Sequence, residues 1–256
     1  MAQLQALSGH SSSKLLRLIH RWLKSPPLQK KPLVLAQYIV FDGSFVYKRT
    51  RAVVALIDGY SGKLITCQYG VKENSKSELV TFFRHLQVQG LAPISCTVDG
   101  NPHVVKALRK VWPTILIQRC RVHVQRQGLM WCRASPKTAM AQQLRGLFMA
   151  LLTVKTEEQK TLWLQKVEIW EKRYGHVLHG PVHGWVMSDL KRARSMLLKA
   201  IPYLFHYLAN PFIPATTNRA EGFFSRLKRS YKRHTGLAHH QRKNFILWFC
   251  SFYQSP

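Results

Sequence analysis

Ile94–Val124 reads ISCTVDGNPHVVKALRKVWPTILIQRCRVHV, and the chain is organised around it. The run ISCTV has the apolar density of a buried strand and ends in Asp99 and Gly100. VVKALRKVW follows with helical spacing, and TILIQ is a second apolar run that leads into Cys120 and His123. Strand, helix, strand is the unit of two parallel strands joined by a right-handed crossover. It sends both strand ends, with their polar residues, to one edge of a sheet.

Working outward toward the N-terminus, LVLAQYIVFDGSFVY and AVVALIDGYSGKLITCQYGV are rich in Val, Ile, Leu and Tyr and are broken by Asp-Gly and Ser-Gly turns. They predict a three-stranded meander: a first strand from Leu33 to about Asp42, a second from Arg51 to Ile57, a third from Leu64 to Val71. Asp58 falls in DGYSGK and reads as a turn former. Residues 75–89 place Leu79, Phe82, Phe83 and Leu86 on one helical face, with Ser75 or Ser77 to cap the start. The fold class expected is therefore α/β, a mixed five-stranded sheet with flanking helices. Beyond it, from about Gln125 to Pro214, only helical patterns occur. TTNRAEGFFSRLKRSYKRH then reads as a basic helix and HHQRKNFILWFCSFYQ as a final apolar one. Ahead of the sheet, SSKLLRLIHRWLK predicts a basic amphipathic helix, which packs on the domain or is the tail of something missing, with contact to DNA or a membrane surface as the alternative. Pro26, Pro27, Lys30, Lys31 and Pro32 read as a linker.

Thirty-nine Lys and Arg against eleven Asp and Glu give a formal charge of +28, spread along the chain rather than gathered in a tail. A polyanionic partner, nucleic acid, fits that balance. The five cysteines form no CxxC pair and read as reduced thiols, neither a disulfide frame nor a zinc ribbon. No apolar run reaches membrane-spanning length. A cytoplasmic, nucleoid-associated protein is the expectation.

With so few carboxylates, an acid at the end of an apolar strand requires a reason. Asp42 follows YIVF, Asp99 follows SCTV, and Glu221 opens the basic helix. Neighbouring parallel strands would set Asp42 and Asp99 side by side. An acid-rich, oxygen-only set suits Mg²⁺ or Mn²⁺, and two such ions serve in-line displacement at a phosphodiester. Each acid also has a plain explanation. Asp42 and Asp99 each precede a glycine in a potential turn, with Asn101 as cap and Pro102 as first helical residue after Asp99, and Glu221 has the capping-box spacing from Asn218.

On DGSF at 42–45, VDGNPHVVKALRKVWPTILIQRCRVHV at 98–124 and TTNRAEGFFSRLKRSYKRHTGL at 216–237, the chain resembles the DDE transposases of bacterial insertion sequences related to Mutator elements. The resemblance covers roughly residues 33–250. It implies an RNase H-like catalytic domain with Asp42, Asp99 and Glu221 as catalytic acids and ligands of two Mg²⁺ or Mn²⁺ ions. It divides the chain into a first core part at 33–124, an all-helical insertion at 125–214 and the last core helices at 215–256. Residues 1–32 are then a basic helix and linker, either the remnant of an end-recognition module or the front of a chain truncated or started late. Cys120 and His123 match the family's Cys-x-x-His feature, which we expect to support the site rather than to bind zinc.

The activity implied is cleavage at transposon ends and transfer of the freed 3′-hydroxyl into target DNA, with double-stranded DNA as partner and a homo-oligomer joining two ends. Arg219, Arg226, Lys228, Arg229, Lys232 and Arg233 are expected to follow the DNA backbone. Trp163, Trp170 and Trp185 read chiefly as core, with stacking on a flipped base as the alternative. A catalytically inactive DNA-binding relic and a structure-specific nuclease on the same fold are compatible with the same residues.

Overall fold

The computed structural model describes residues 2–28, 35–46, 51–234 and 236–253. Lys30, Lys31 and Pro32 of the expected linker, and Leu33 at the expected start of the first strand, lie outside these. Two helices, α1 (Ala2–Ser8) and α2 (Ser12–Trp22), precede the sheet strands β1 (Tyr38–Ser44), β2 (Ala52–Asp58) and β3 (Leu64–Val71). Then come α3 (Lys76–Val88), β4 (Ser95–Val98), α4 (Pro102–Val111) and β5 (Leu116–Arg119). The sheet order is β3-β2-β1-β4-β5. β1, β2 and β3 pair antiparallel, whereas β4 runs parallel to both β1 and β5. This is the expected five-stranded mixed sheet with flanking helices, consistent with an RNase H-like fold.

Alternation along the strands assigns the two faces. Ile39 and Phe41 of β1, Leu56 of β2 and Cys96 and Val98 of β4 pack with α3 and α4 on one side. Val40 of β1 and Val53, Ala55 and Ile57 of β2 pack on the other with α10 (Asn218–Lys232) and α11 (His239–Tyr253). Asp42 shares the parity of Val40, so it belongs to the face that α10 covers.

Between β5 and α10 lie α5 (Arg121–Cys132), α6 (Ala139–Ala150), α7 (Glu157–Tyr174), α8 (Trp185–Ala200) and α9 (His206–Ala209), with short 3₁₀ turns among them. They gather their own apolar cluster around Leu144, Phe148, Trp163, Leu178 and Leu197. Trp163 and Trp170 are buried there, their indole N–H groups donating to the Leu147 and Met140 carbonyls at 3.0 Å each. Trp185 differs: it is exposed, with the Arg133 guanidinium 3.5 Å from its ring centroid.

The helix α2 packs on α11, as expected of an amphipathic helix. Trp22 meets Trp248 edge-on, and Asn244 donates to the Leu23 carbonyl at 2.9 Å. One expectation fails. Cys67 on β3 and Cys250 on α11 form a disulfide, because α11 crosses β3 and brings together sulfurs 183 residues apart. Cys96, Cys120 and Cys132 are free and buried. Among the described residues no helix is long and apolar enough to cross a membrane.

Candidate active site

Asp42 does not end its strand. Gly43 and Ser44 continue the pairing with β2, opposite Val54 and Val53. The parallel register sets Val40 opposite Thr97, so two residues on Asp42 is level with Asp99, just past the end of β4. There Asp99 Oδ1 accepts from the Asn101 N–H at 2.9 Å, and Asn101 caps α4 by accepting from the His103 N–H at 2.9 Å. The turn reading of Asp99 is thus correct and coexists with its place beside Asp42. Gly100 has φ +98°, the left-handed region that glycine tolerates, and a Cβ there would strike the Arg119 guanidinium.

α10 is brought over this edge by a stitched return segment. Thr97 Oγ1 donates to the Pro214 carbonyl at 2.6 Å, and the Thr217 N–H donates to Cys120 Sγ at 3.3 Å. Glu221 lies in the first turn but makes no capping box. Its Oε1 accepts from Arg126 Nη1 of α5 at 3.0 Å and stands 3.7 Å from His123 Nε2. His123 Nδ1 is 3.2 Å from Thr217 Oγ1. Cys120 and His123 therefore tie β5, α5 and the start of α10 together.

The electrostatics single out this edge. Burial, then the charge of Asp99, pushes the Asp42 carboxyl up to about 7, with Glu221 adding and His123 opposing. His123 is held up at about 9 by its hydrogen bond to Cys120, against burial, and by the charges of Asp42 and Asp99. A fourth carboxylate takes part that the sequence reading passed over. Glu73, in the turn between β3 and α3, is pushed up to about 7 by burial and then by Asp99 and Asp42. Its carboxylate lies over Gly43, where a Cβ would collide with it, and Asn101 Nδ2 holds the Glu73 carbonyl at 3.1 Å. Nothing in KENSK marks Glu73, since no apolar strand leads into it. Only its meeting with the glycine after Asp42 could have pointed there.

Among the described residues no three His, Cys, Asp or Glu side chains stand together as a ready ligand set, Glu221 being turned toward Arg126 and His123. The donor chemistry nonetheless fits a hard divalent cation: burial and neighbouring carboxylate charge push both Asp42 and Glu73 up, and positive charge there would relieve that.

A family model described as "Transposase, Mutator family" matches residues 48–235. The chain belongs to the Mutator family of transposases. That stretch contains Asp99, Cys120, His123 and Glu221, whereas Asp42 lies just ahead of it. A search of curated proteins returned no match. Membership of a transposase family makes DNA the macromolecule this chain acts with. Of the six basic residues expected on it, Arg219 is tied to the Tyr60 carbonyl at 2.8 Å, and Arg226 lies over the Tyr253 ring. Lys228 is half-buried, while Arg229, Lys232 and Arg233 are exposed.

A carboxyl raised from 3.8 to about 7 binds a proton more tightly in the folded than in the unfolded protein, so Asp42 removes stability as pH rises through that window. Without divalent ions, Asp42→Asn should melt above the wild type at about pH 8, and the gap should close as pH falls toward about 4. Thermal melts across pH test this; a gap independent of pH would contradict it.

Proposed function

We propose that this transposase cuts DNA at the ends of a mobile element by metal-dependent hydrolysis and joins the freed 3′-hydroxyl to target DNA at the same site. The observation that carries the reading is the level placement of Asp42 and Asp99 on the sheet face covered by α10, whose first turn carries Glu221. Asp42 and Asp99 would hold the ions, with Glu221 completing the set. Two divalent cations bound there would supply an activated water or hydroxyl and stabilise the leaving oxygen.

The protein's own part is to bring these acids to one edge and to set charged neighbours around them. Glu221 rests on Arg126, an exposed pair worth about 0.2–1 kcal/mol, so turning it inward costs little. His123, carrying a proton at neutral pH, offers positive charge to Glu221 or to a phosphate oxygen. Glu73 adds carboxylate charge against Gly43, which keeps the strand backbone open to it. Because Glu73 stands beside the ligands, Glu73→Gln should weaken Mn²⁺ binding by about 10–100-fold, as loss of supporting carboxylates does at metal sites. Calorimetric titration with Mn²⁺ measures this directly, and an unchanged affinity would remove Glu73 from the site.

The reading is tested by Mg²⁺-dependent nicking of duplex DNA taken from the flanks of the coding region. Cleavage that persists in a chelator would overturn it. Salt-steep DNA binding with no cleavage by the wild type would favour the inactive relic.

A further inference from the structure

A groove of about 870 Å³ lies on the side of β5 facing away from α10, walled by α4 and α8 and lined in part by Gly100, the residue beside Asp99. Its cations are Lys106, Arg109, Arg119, Lys191, Arg192 and Lys199, and among the described residues no Asp or Glu lines it. They come from three elements that face one another, so the groove carries a concentration of positive charge that a bound anion would relieve. Four of the six have anionic or dipolar ties of their own: Lys191 donates to the Gly180 carbonyl at 2.7 Å, Arg192 stands 3.5 Å from Asp189, Arg109 reaches the Tyr203 hydroxyl, and Arg119 feels the charge of Asp99. Lys106 and Lys199 are exposed, one on each wall, and the buried Arg119 Nε has no hydrogen-bond partner.

The other lining residues are Trp131, Tyr203, Met196 and Val182 among them, with Arg109 donating to the Tyr203 hydroxyl at 3.0 Å. Arg109 also lies over the Tyr203 ring, which leaves Trp131 as the aromatic open to a base. A cationic track beside an indole is a combination that binds single strands, phosphates along the charges and a base against the ring. The volume falls among small-ligand pockets, room for a few nucleotides of one strand and none for a duplex.

We propose that this groove holds a single DNA strand adjoining the cut, leading it past Arg119 and Gly100 to Asp99. The inference rests on the DNA-cleaving reading above and adds to it a second DNA path, separate from α10. Single-strand contacts belong to a different surface from duplex contacts, and the two can be unlinked.

The test is equilibrium binding in a chelator across a range of salt. The probes are a blunt duplex and the same duplex with a single-stranded tail. Lys106→Gln with Lys199→Gln is compared with Arg229→Gln with Lys232→Gln on α10. The groove variant should lower affinity for the tailed duplex and reduce its log–log salt slope by about 1.4, two phosphate contacts at about 0.7 each. Its binding of the blunt duplex should not change. Trp131→Ala should weaken tail binding about tenfold through lost stacking, without changing the slope. If the groove variant binds the tailed duplex as the wild type does while the α10 variant loses the blunt one, the groove inference falls and the DNA reading stands. If the wild type binds neither probe, both fall.

Discussion

Asp99→Asn should abolish Mg²⁺-dependent nicking to within measurement while leaving the protein folded and bound to DNA. The amide keeps the shape of the side chain and an oxygen to accept the Asn101 N–H, so the turn into α4 survives and only the charge is lost. An ion held through that charge contributes several kcal/mol at the transition state. Taking about 4 kcal/mol gives a fall of about a thousandfold or more. Binding in a chelator should hold steady or tighten, since one negative charge leaves a surface that meets phosphates. Single-turnover nicking and binding measured on the same preparation separate the two effects. Variant and wild type cutting at equal rates would dispose of the metal reading altogether.

The parts of the site that were legible in the sequence are those in which a local pattern and the sheet agree. The apolar run before Asp42 and the strand-helix-strand unit around Asp99 each specify an element, and parallel pairing does the rest, because the register sets Asp42 level with Asp99 even though β1 runs on past it. Glu221 was legible only in part. Its spacing from Asn218 suggested a capping box, but Arg126 and His123 offer charge that a backbone N–H does not, and the carboxylate goes to them. Glu73 and Arg119 were hidden for another reason. Each acquires its role by lying against a glycine, Gly43 and Gly100, and which distant side chain fills the space a glycine leaves is a tertiary fact with no local trace. The Cys67–Cys250 disulfide was hidden likewise, by the packing of the last helix on the third strand.

That last helix also decides how firmly Glu221 is placed. Phe223 is fully buried two residues after it, meeting Phe224 and Tyr253 edge-on at 5.2 and 5.0 Å and Phe249 at 6.0 Å. Ala220, Phe223, Phe224 and Leu227 form one stripe of α10 that seats on β1 and β2, and Glu221 stands at the margin of that stripe. The stripe therefore sets the rotation of α10 about its axis, and with it the direction in which Glu221 can reach. Phe223→Ala should cost about 3–5 kcal/mol, read from chemical denaturation, because the cavity it leaves lies between a sheet and two helices that cannot close on it. It should also lower nicking more than the unfolded fraction explains, since α10 is freed to turn. Phe223→Leu keeps most of the volume and should restore both. If Phe223→Ala is destabilised but nicks normally per folded molecule, then Glu221 is positioned from its other side, through Thr217, His123 and Arg126, and the aromatic stripe serves stability alone.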